Sequence, residues 1–202
     1  MRAFSSLIVL VLAIGAWPSA WQPPIVAAPV KQTFDGGWWL KSDLDERSGF
    51  LDGAADYMTW TAHKKGFSAT PSQIMGKIDR FYKSHPGSAS LDVIDVWQKV
   101  AGEPEGSKSD EGQGEIWKNA HWYLNVDWWS QVSEAEQLGF VEGYLWCMRT
   151  QIPAPIESYV GTASSYRRRI DAFVRANPKL GKEAVATTLQ RYQDGAGAAD
   201  PR

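Results

Sequence analysis

The chain has 202 residues, of which 44% are apolar and 22% charged, and a formal net charge of −2. Those values belong to an ordinary globular protein with one substantial core, and they argue against a nucleic-acid binder, which needs a basic surplus. Cys147 is the only cysteine, so no intrachain disulfide can staple the fold, and its apolar neighbours Leu145, Trp146 and Met148 point to a buried, inert thiol.

The amino-terminal residues have the pattern of a secretory signal: Arg2, an apolar run from Leu7 to Trp17, and small residues at Ala20 and Ala27-Ala28. The run is too short to span a bilayer, and Pro18, Pro23, Pro24 and Pro29 would break any helix that tried to continue. Export to a periplasmic or extracellular compartment is therefore expected. With no cysteine near the cleavage region, a soluble mature chain without membrane insertion is expected, of net charge about −3 once Arg2 is removed.

After Pro29 an internal repeat emerges. Trp38-Trp39 returns as Trp128-Trp129, and Gly49-Phe50-Leu51-Asp52-Gly53 returns as Gly139-Phe140-Val141-Glu142-Gly143. Ahead of each glycine segment stands a capping pair, Asp43 with Glu46 and Ser133 with Glu136, so a helix is predicted to start at each. Thr70 and Thr162 then open second helices that end before His85-Pro86 and Asn177-Pro178, because the residue preceding proline is driven out of helical geometry. Third helices follow, with apolar stripes at Leu91, Ile94 and Val96-Trp97 and at Val185, Leu189 and Tyr192.

The sequence thus predicts an all-α fold of two pseudo-repeated three-helix units packed into one globular domain. Its boundaries are a signal peptide over 1–28, helical repeat 1 over 29–101, a Gly/Ser/Glu-rich loop and Trp-rich linker over 102–127, helical repeat 2 over 128–193 and a disordered tail over 194–202. From Glu115 to Trp129 aromatic residues crowd without periodicity, which predicts a short helix or irregular segment over the core.

Each first helix carries an acid between two glycines, although a glycine inside a helix costs about 1 kcal/mol relative to alanine. Close approach of the two glycine-bearing helices is the structural explanation, with Asp52 and Glu142 facing water. The functional alternative makes Asp52 and Glu142, joined by Asp56 one turn on, a pair of carboxylates that could serve as general acid and base on a glycosidic bond. Of the tryptophans, core and inter-half packing is expected to account for most of Trp39, Trp60, Trp97, Trp129 and Trp146, while Trp117 and Trp122 are expected at the surface as binding residues. His63, His85 and His121 have no metal-ligand spacing, so neither a metal nor another cofactor is expected, and no nucleophile stands in a catalytic motif. Arg167-Arg168-Arg169 has the look of a solvated helix face.

The segments Gly49-Phe50-Leu51-Asp52-Gly53 with Ser84-His85-Pro86, and Gly139-Phe140-Val141-Glu142-Gly143 with Ala176-Asn177-Pro178, resemble the small helical domain of the exported amidase-immunity (Tai-like) family. The likeness covers Trp38 to Val100 and Trp128 to Tyr192. It implies a periplasmic helical protein that is not an enzyme and that binds another envelope protein, in that family a cell-wall amidase. The binding candidates on this reading are Asp52, Asp56, Glu142, Trp117 and Trp122; an envelope glycan-binding or glycan-hydrolysing protein using the paired carboxylates is the alternative.

Overall fold

Short capped helices in this chain are organised by two long ones that are buried on nearly every side. The computed structural model describes residues 32–61, 71–101, 121, 123–151 and 161–193. The fold is all-α, with no strand among the described residues. Helix α1 (Gly36–Trp39) leads into α2 (Leu44–Asp56), whose last turn widens into a π-helix over Tyr57–Thr61. Helices α3 (Pro71–Ser84) and α4 (Val93–Ala101) follow, joined through a 3-10 turn at Pro86–Ser88. Then come α5 (Val126–Trp129), α6 (Glu134–Gln151), α7 (Ala163–Ala176), a 3-10 turn at Pro178–Leu180 and α8 (Val185–Gln193).

The helix starts are local chemistry. Asp43 Oδ1 accepts from the Glu46 amide at 2.7 Å, Ser133 Oγ from the Glu136 amide at 3.2 Å, and Thr162 Oγ1 from the Ser165 amide at 3.2 Å. Asp45 and Glu46 add negative charge to the positive end of α2. At the far ends of α3 and α7, His85 Nδ1 meets the Phe81 carbonyl at 3.0 Å and Asn177 Nδ2 donates to the Phe173 carbonyl at 2.8 Å before each proline.

The central feature is the parallel pair α2 and α6. A Cβ added at Gly49 would overlap the Glu136 carbonyl oxygen, and one at Gly53 the Phe140 carbonyl oxygen; reciprocally, Gly139 lies against the Glu46 carbonyl and Gly143 against the Phe50 carbonyl. The backbones therefore touch directly, an approach open only to glycine. Phe50, Leu51, Ala54, Ala55, Phe140, Val141, Tyr144 and Leu145 pack around that seam, each no more than 2% exposed.

Matched contacts surround the seam. Trp39 Nε1 donates to Asp79 Oδ1 and Trp129 Nε1 to Asp171 Oδ1, both at 2.7 Å, tying α1 to α3 and α5 to α7. The Val93 amide donates to the Phe34 carbonyl at 2.8 Å and the Val185 amide to the Leu124 carbonyl at 2.9 Å, so the chain entering each short helix pairs with the chain entering α4 or α8. Lys99 lies 5.1 Å from the Phe81 ring centre and Arg191 5.2 Å from that of Phe173.

One sequence expectation about the core needs correction, and another is made specific. Leu91 is not in the apolar stripe of α4: it precedes the helix, is 40% exposed, and uses its carbonyl to accept from Tyr82 Oη at 2.9 Å. Of the five tryptophans expected mostly in the core, Trp39, Trp97 and Trp129 are buried and Trp146 partly so, while Trp60 is 39% exposed on the π-helix. The predicted signal peptide, the loop from Gly102 to Gly114, Thr70 and the tail from Asp194 lie outside the described residues.

Gly53→Ala is expected to destabilise the protein by about 3 kcal/mol or more, because the new methyl meets backbone that cannot turn aside. Gly76→Ala in α3, where the nearest atom to an added Cβ is Arg80 Nη1 at 3.9 Å, is expected to stabilise it by about 0.5–1 kcal/mol. Urea denaturation of the two variants beside the parent checks both signs.

Candidate functional site

An acid in the middle of an apolar stretch must find a partner or stay protonated. Asp56 sits at the end of α2 between Ala54-Ala55 and Tyr57-Met58, all buried, and is itself 2% exposed. Its partner comes from far along the chain: His121 Nδ1 lies 2.7 Å from Asp56 Oδ1, with both side chains all but inaccessible. Asp56 Oδ2 has no hydrogen-bond partner. Burial raises the Asp56 carboxyl above its ordinary value, and the hydrogen bond and charge of His121 oppose that rise.

The π-helix that follows places an aromatic ring on this pair. Thr59 Oγ1 donates to the Ala55 carbonyl at 2.7 Å, a side-chain bond within the helix that competes with regular α-helical pairing where the turn widens. Trp60 then stacks on His121, ring centres 4.1 Å apart and planes within 8°. The outer part of that indole is open to solvent, and two residues beyond His121 the Tyr123 ring is 74% exposed.

One turn before Asp56, Asp52 is partly buried, and its carboxyl is raised to about 7 by burial, then by the charges of Glu136 on α6 and of Asp56. Glu136 is itself raised, by burial and by Asp45. Of the residues singled out in the sequence, Asp52 and Asp56 thus share one electrostatic cluster. Glu142 is 6% exposed on α6, which corrects the expectation that it faces water; the charges acting on Asp52 are those of Glu136 and Asp56. Trp117 and Trp122 lie outside the described residues.

His121 and Glu136 are the site residues that the sequence did not disclose as such. A signal for the first existed in principle: the residues one turn to either side of Asp56 include no base, so one had to arrive from elsewhere. Among the described residues no group of three or more His, Cys, Asp and Glu side chains could hold a metal ion, and no helix is long and apolar enough to cross a membrane. The geometry can lock an imidazole ring in one orientation, hold a tryptophan flat against it, and store a proton on Asp52 near neutral pH.

No protein-family model, no curated protein and no solved structure matches this chain.

The raised Asp52 carboxyl makes a pH prediction. The folded state holds its proton to a higher pH than the unfolded chain does, so this contribution to stability is complete below the ordinary carboxylate value and is lost as pH rises through about 7. Asp52→Asn, which cannot ionise, is expected to gain about 1–2 kcal/mol on the parent at pH 8 and little at pH 4. Denaturation midpoints of both proteins across that range provide the check.

Proposed function

We propose that the chain is an exported, soluble, non-catalytic protein-binding module built of two pseudo-repeated three-helix units, resembling the exported amidase-immunity (Tai-like) proteins. The duplicated reading draws support from the paired indole-to-carboxylate bonds of Trp39 with Asp79 and Trp129 with Asp171, and from the reciprocal glycine contacts of α2 and α6. The export reading rests on the apolar run and small residues before Pro29.

The observation that carries the binding reading is the exposed indole of Trp60 stacked on a histidine that is itself fixed by Asp56. A large aromatic side chain held rigid before any partner arrives loses little entropy on binding, and tryptophan and tyrosine dominate the energetics of protein interfaces. Trp60 and Tyr123 are therefore the assigned contact residues, with Asp56 and His121 beneath them as positioning residues.

A glycan-binding or glycan-hydrolysing envelope protein is the second reading. It is favoured by one specific feature, a carboxyl at about 7 on Asp52 with Glu136 acting on it, since a half-protonated acid near a carboxylate suits a general acid.

Affinity capture with the full chain expressed in its own source, repeated in excess soluble cell-wall fragments, separates these readings. A stoichiometric protein that survives the competitor, and whose binding falls about tenfold or more in Trp60→Ala and Tyr123→Ala, is the expected result. Displacement by the fragments, or cell-wall cleavage lost in folded Asp52→Asn and Glu136→Gln variants, would replace it with the glycan reading.

A further inference from the structure

Charge on this protein is unevenly spread. The whole chain is mildly acidic, yet between Gly161 and Gln193 basic side chains outnumber acidic ones seven to two. Both acids there are committed internally: Asp171 accepts from the Trp129 indole at 2.7 Å and faces Arg167, and Glu183 pairs with Arg191 at 3.0 Å. Arg167 also reaches Glu134 at 3.3 Å, and Lys182 reaches Asp127 at 3.3 Å. Arg168, Arg169, Arg175 and Lys179 are left with no ion pair among the described residues.

These cations do not form a random halo. Arg168 and Arg175 lie seven residues apart on α7 and share its exposed face, and Lys179 is exposed on the turn that follows. Arg169 is different in kind: it lies 5.7 Å from the Tyr166 ring centre and 6.0 Å from that of Tyr192, and its Nε is buried without a hydrogen-bond partner. Tyr192 Oη in turn donates to the Arg169 carbonyl at 3.0 Å, fixing its ring beside the guanidinium. Beyond the end of α7, a depression of ≈ 460 Å³ is lined by Pro178, Lys179, Leu180, Gly181 and Lys182 together with the acids Asp127 and Glu183. The corresponding part of α3 carries Gly76 and Lys77 where α7 carries Arg168 and Arg169, and Lys83 where α7 carries Arg175, so the run of consecutive arginines belongs to α7.

We infer that the α7 face formed by Arg168, Arg169 and Arg175 docks a carboxylate-rich surface of the partner protein. The inference rests on the binding-module reading for the existence of a partner and adds the chemistry by which it is recognised. An arginine flanked by tyrosines, with donor capacity unspent, is the side-chain combination that concentrates binding energy at protein interfaces. Its fork suits a bidentate carboxylate, and Arg168 and Arg175 supply the surrounding positive field that steers an acidic surface towards it. A bilayer would be met instead by lysines and apolar anchors along one helix face, and the exposed face of α7 offers no large apolar residue.

The test uses the full chain with a polyglutamate peptide as probe, its binding followed by tryptophan fluorescence or calorimetry at several salt concentrations. The expected result is salt-sensitive binding that falls about tenfold or more in the double variant Arg168→Glu/Arg175→Glu. Arg169→Lys, which keeps the charge and loses the planar fork, is expected to weaken binding about threefold or more. Lys77→Glu/Arg80→Glu reverses as many charges on α3 and is expected to change it less than about twofold. Equal losses in the two double variants would overturn the inference by showing a response to net charge alone. So would absence of polyglutamate binding, or tighter binding through the same arginines to phosphatidylglycerol vesicles. If polyglutamate binding fails while a partner is still captured through Trp60, this inference falls and the binding-module reading stands; the reverse outcome removes the Trp60 surface and leaves this one.

Discussion

Backbone contact between α2 and α6 is the constraint from which the rest of the fold follows. Gly49, Gly53, Gly139 and Gly143 remove every side chain from the seam, so the two helix axes approach until carbonyl oxygens of one lie against the Cα atoms of the other. Four helical glycines are unfavourable by about 1 kcal/mol each relative to alanine, and close dispersion contact with Cα–H···O interactions must offset that. The seam covers one face of each helix, and much of what remains is apolar. The remaining circumference is covered by α1, α3 and α4 on one side and α5, α7 and α8 on the other, which places α2 and α6 in the interior.

That placement explains why the acids of these helices behave unusually. A surface helix would display Asp52, Asp56 and Glu142 to water at no cost. Inside, each carboxylate must be neutralised, paired or hydrogen-bonded. Asp56 is paired with His121; Asp52, with Glu136 and Asp56 as neighbours, keeps its proton instead. The candidate site is thus a consequence of the glycine seam, and its chemistry depends on how far the seam buries residues one turn to either side.

Local features of this architecture were legible in the sequence, because they are set by residues within four positions of one another. Asp43, Ser133 and Thr162 cap helices as their side chains predict, the prolines at 86 and 178 close α3 and α7, and the recurrent glycines mark the seam. What escaped was set by distance along the chain or by a geometry without a sequence rule. Nothing near His121 announces Asp56, sixty-five residues earlier. The π-helix at Tyr57–Thr61 begins where the α-helical pattern still reads as continuous, so nothing in the sequence singles out Trp60 as the exposed member of its set. Leu91 was assigned to a helix by hydrophobicity alone, although its carbonyl is engaged by Tyr82 in the turn before α4.

Under the duplicated reading, differences between the two units sort by whether they are compensated. Gly36 lies under the Tyr82 ring, while valines, Val126 and Val174, stand at both matched positions, so one large side chain and one missing one have been exchanged for two of middling size. Arg47 reaches Asp79 from α2 at 2.8 Å; on α6 its counterpart is Gln137, and Arg167 supplies the guanidinium for Asp171 from α7. Both exchanges conserve volume or charge around the same buried centre, which is how packing tolerates sequence change. The π-helical end of α2 has no such counterpart, since α6 continues as regular helix and carries Trp146 where α2 carries Asp56. Arg168 has none either, since Gly76 stands at its place on α3, and among the described residues no acid meets it or Arg175. A difference that is rebalanced within the fold needs no outside cause, whereas a buried acid-histidine pair under an exposed indole and a row of unpaired arginines do not add to stability by themselves. Those two places are where the protein departs from what folding alone requires, and they are the surfaces on which we propose that binding occurs.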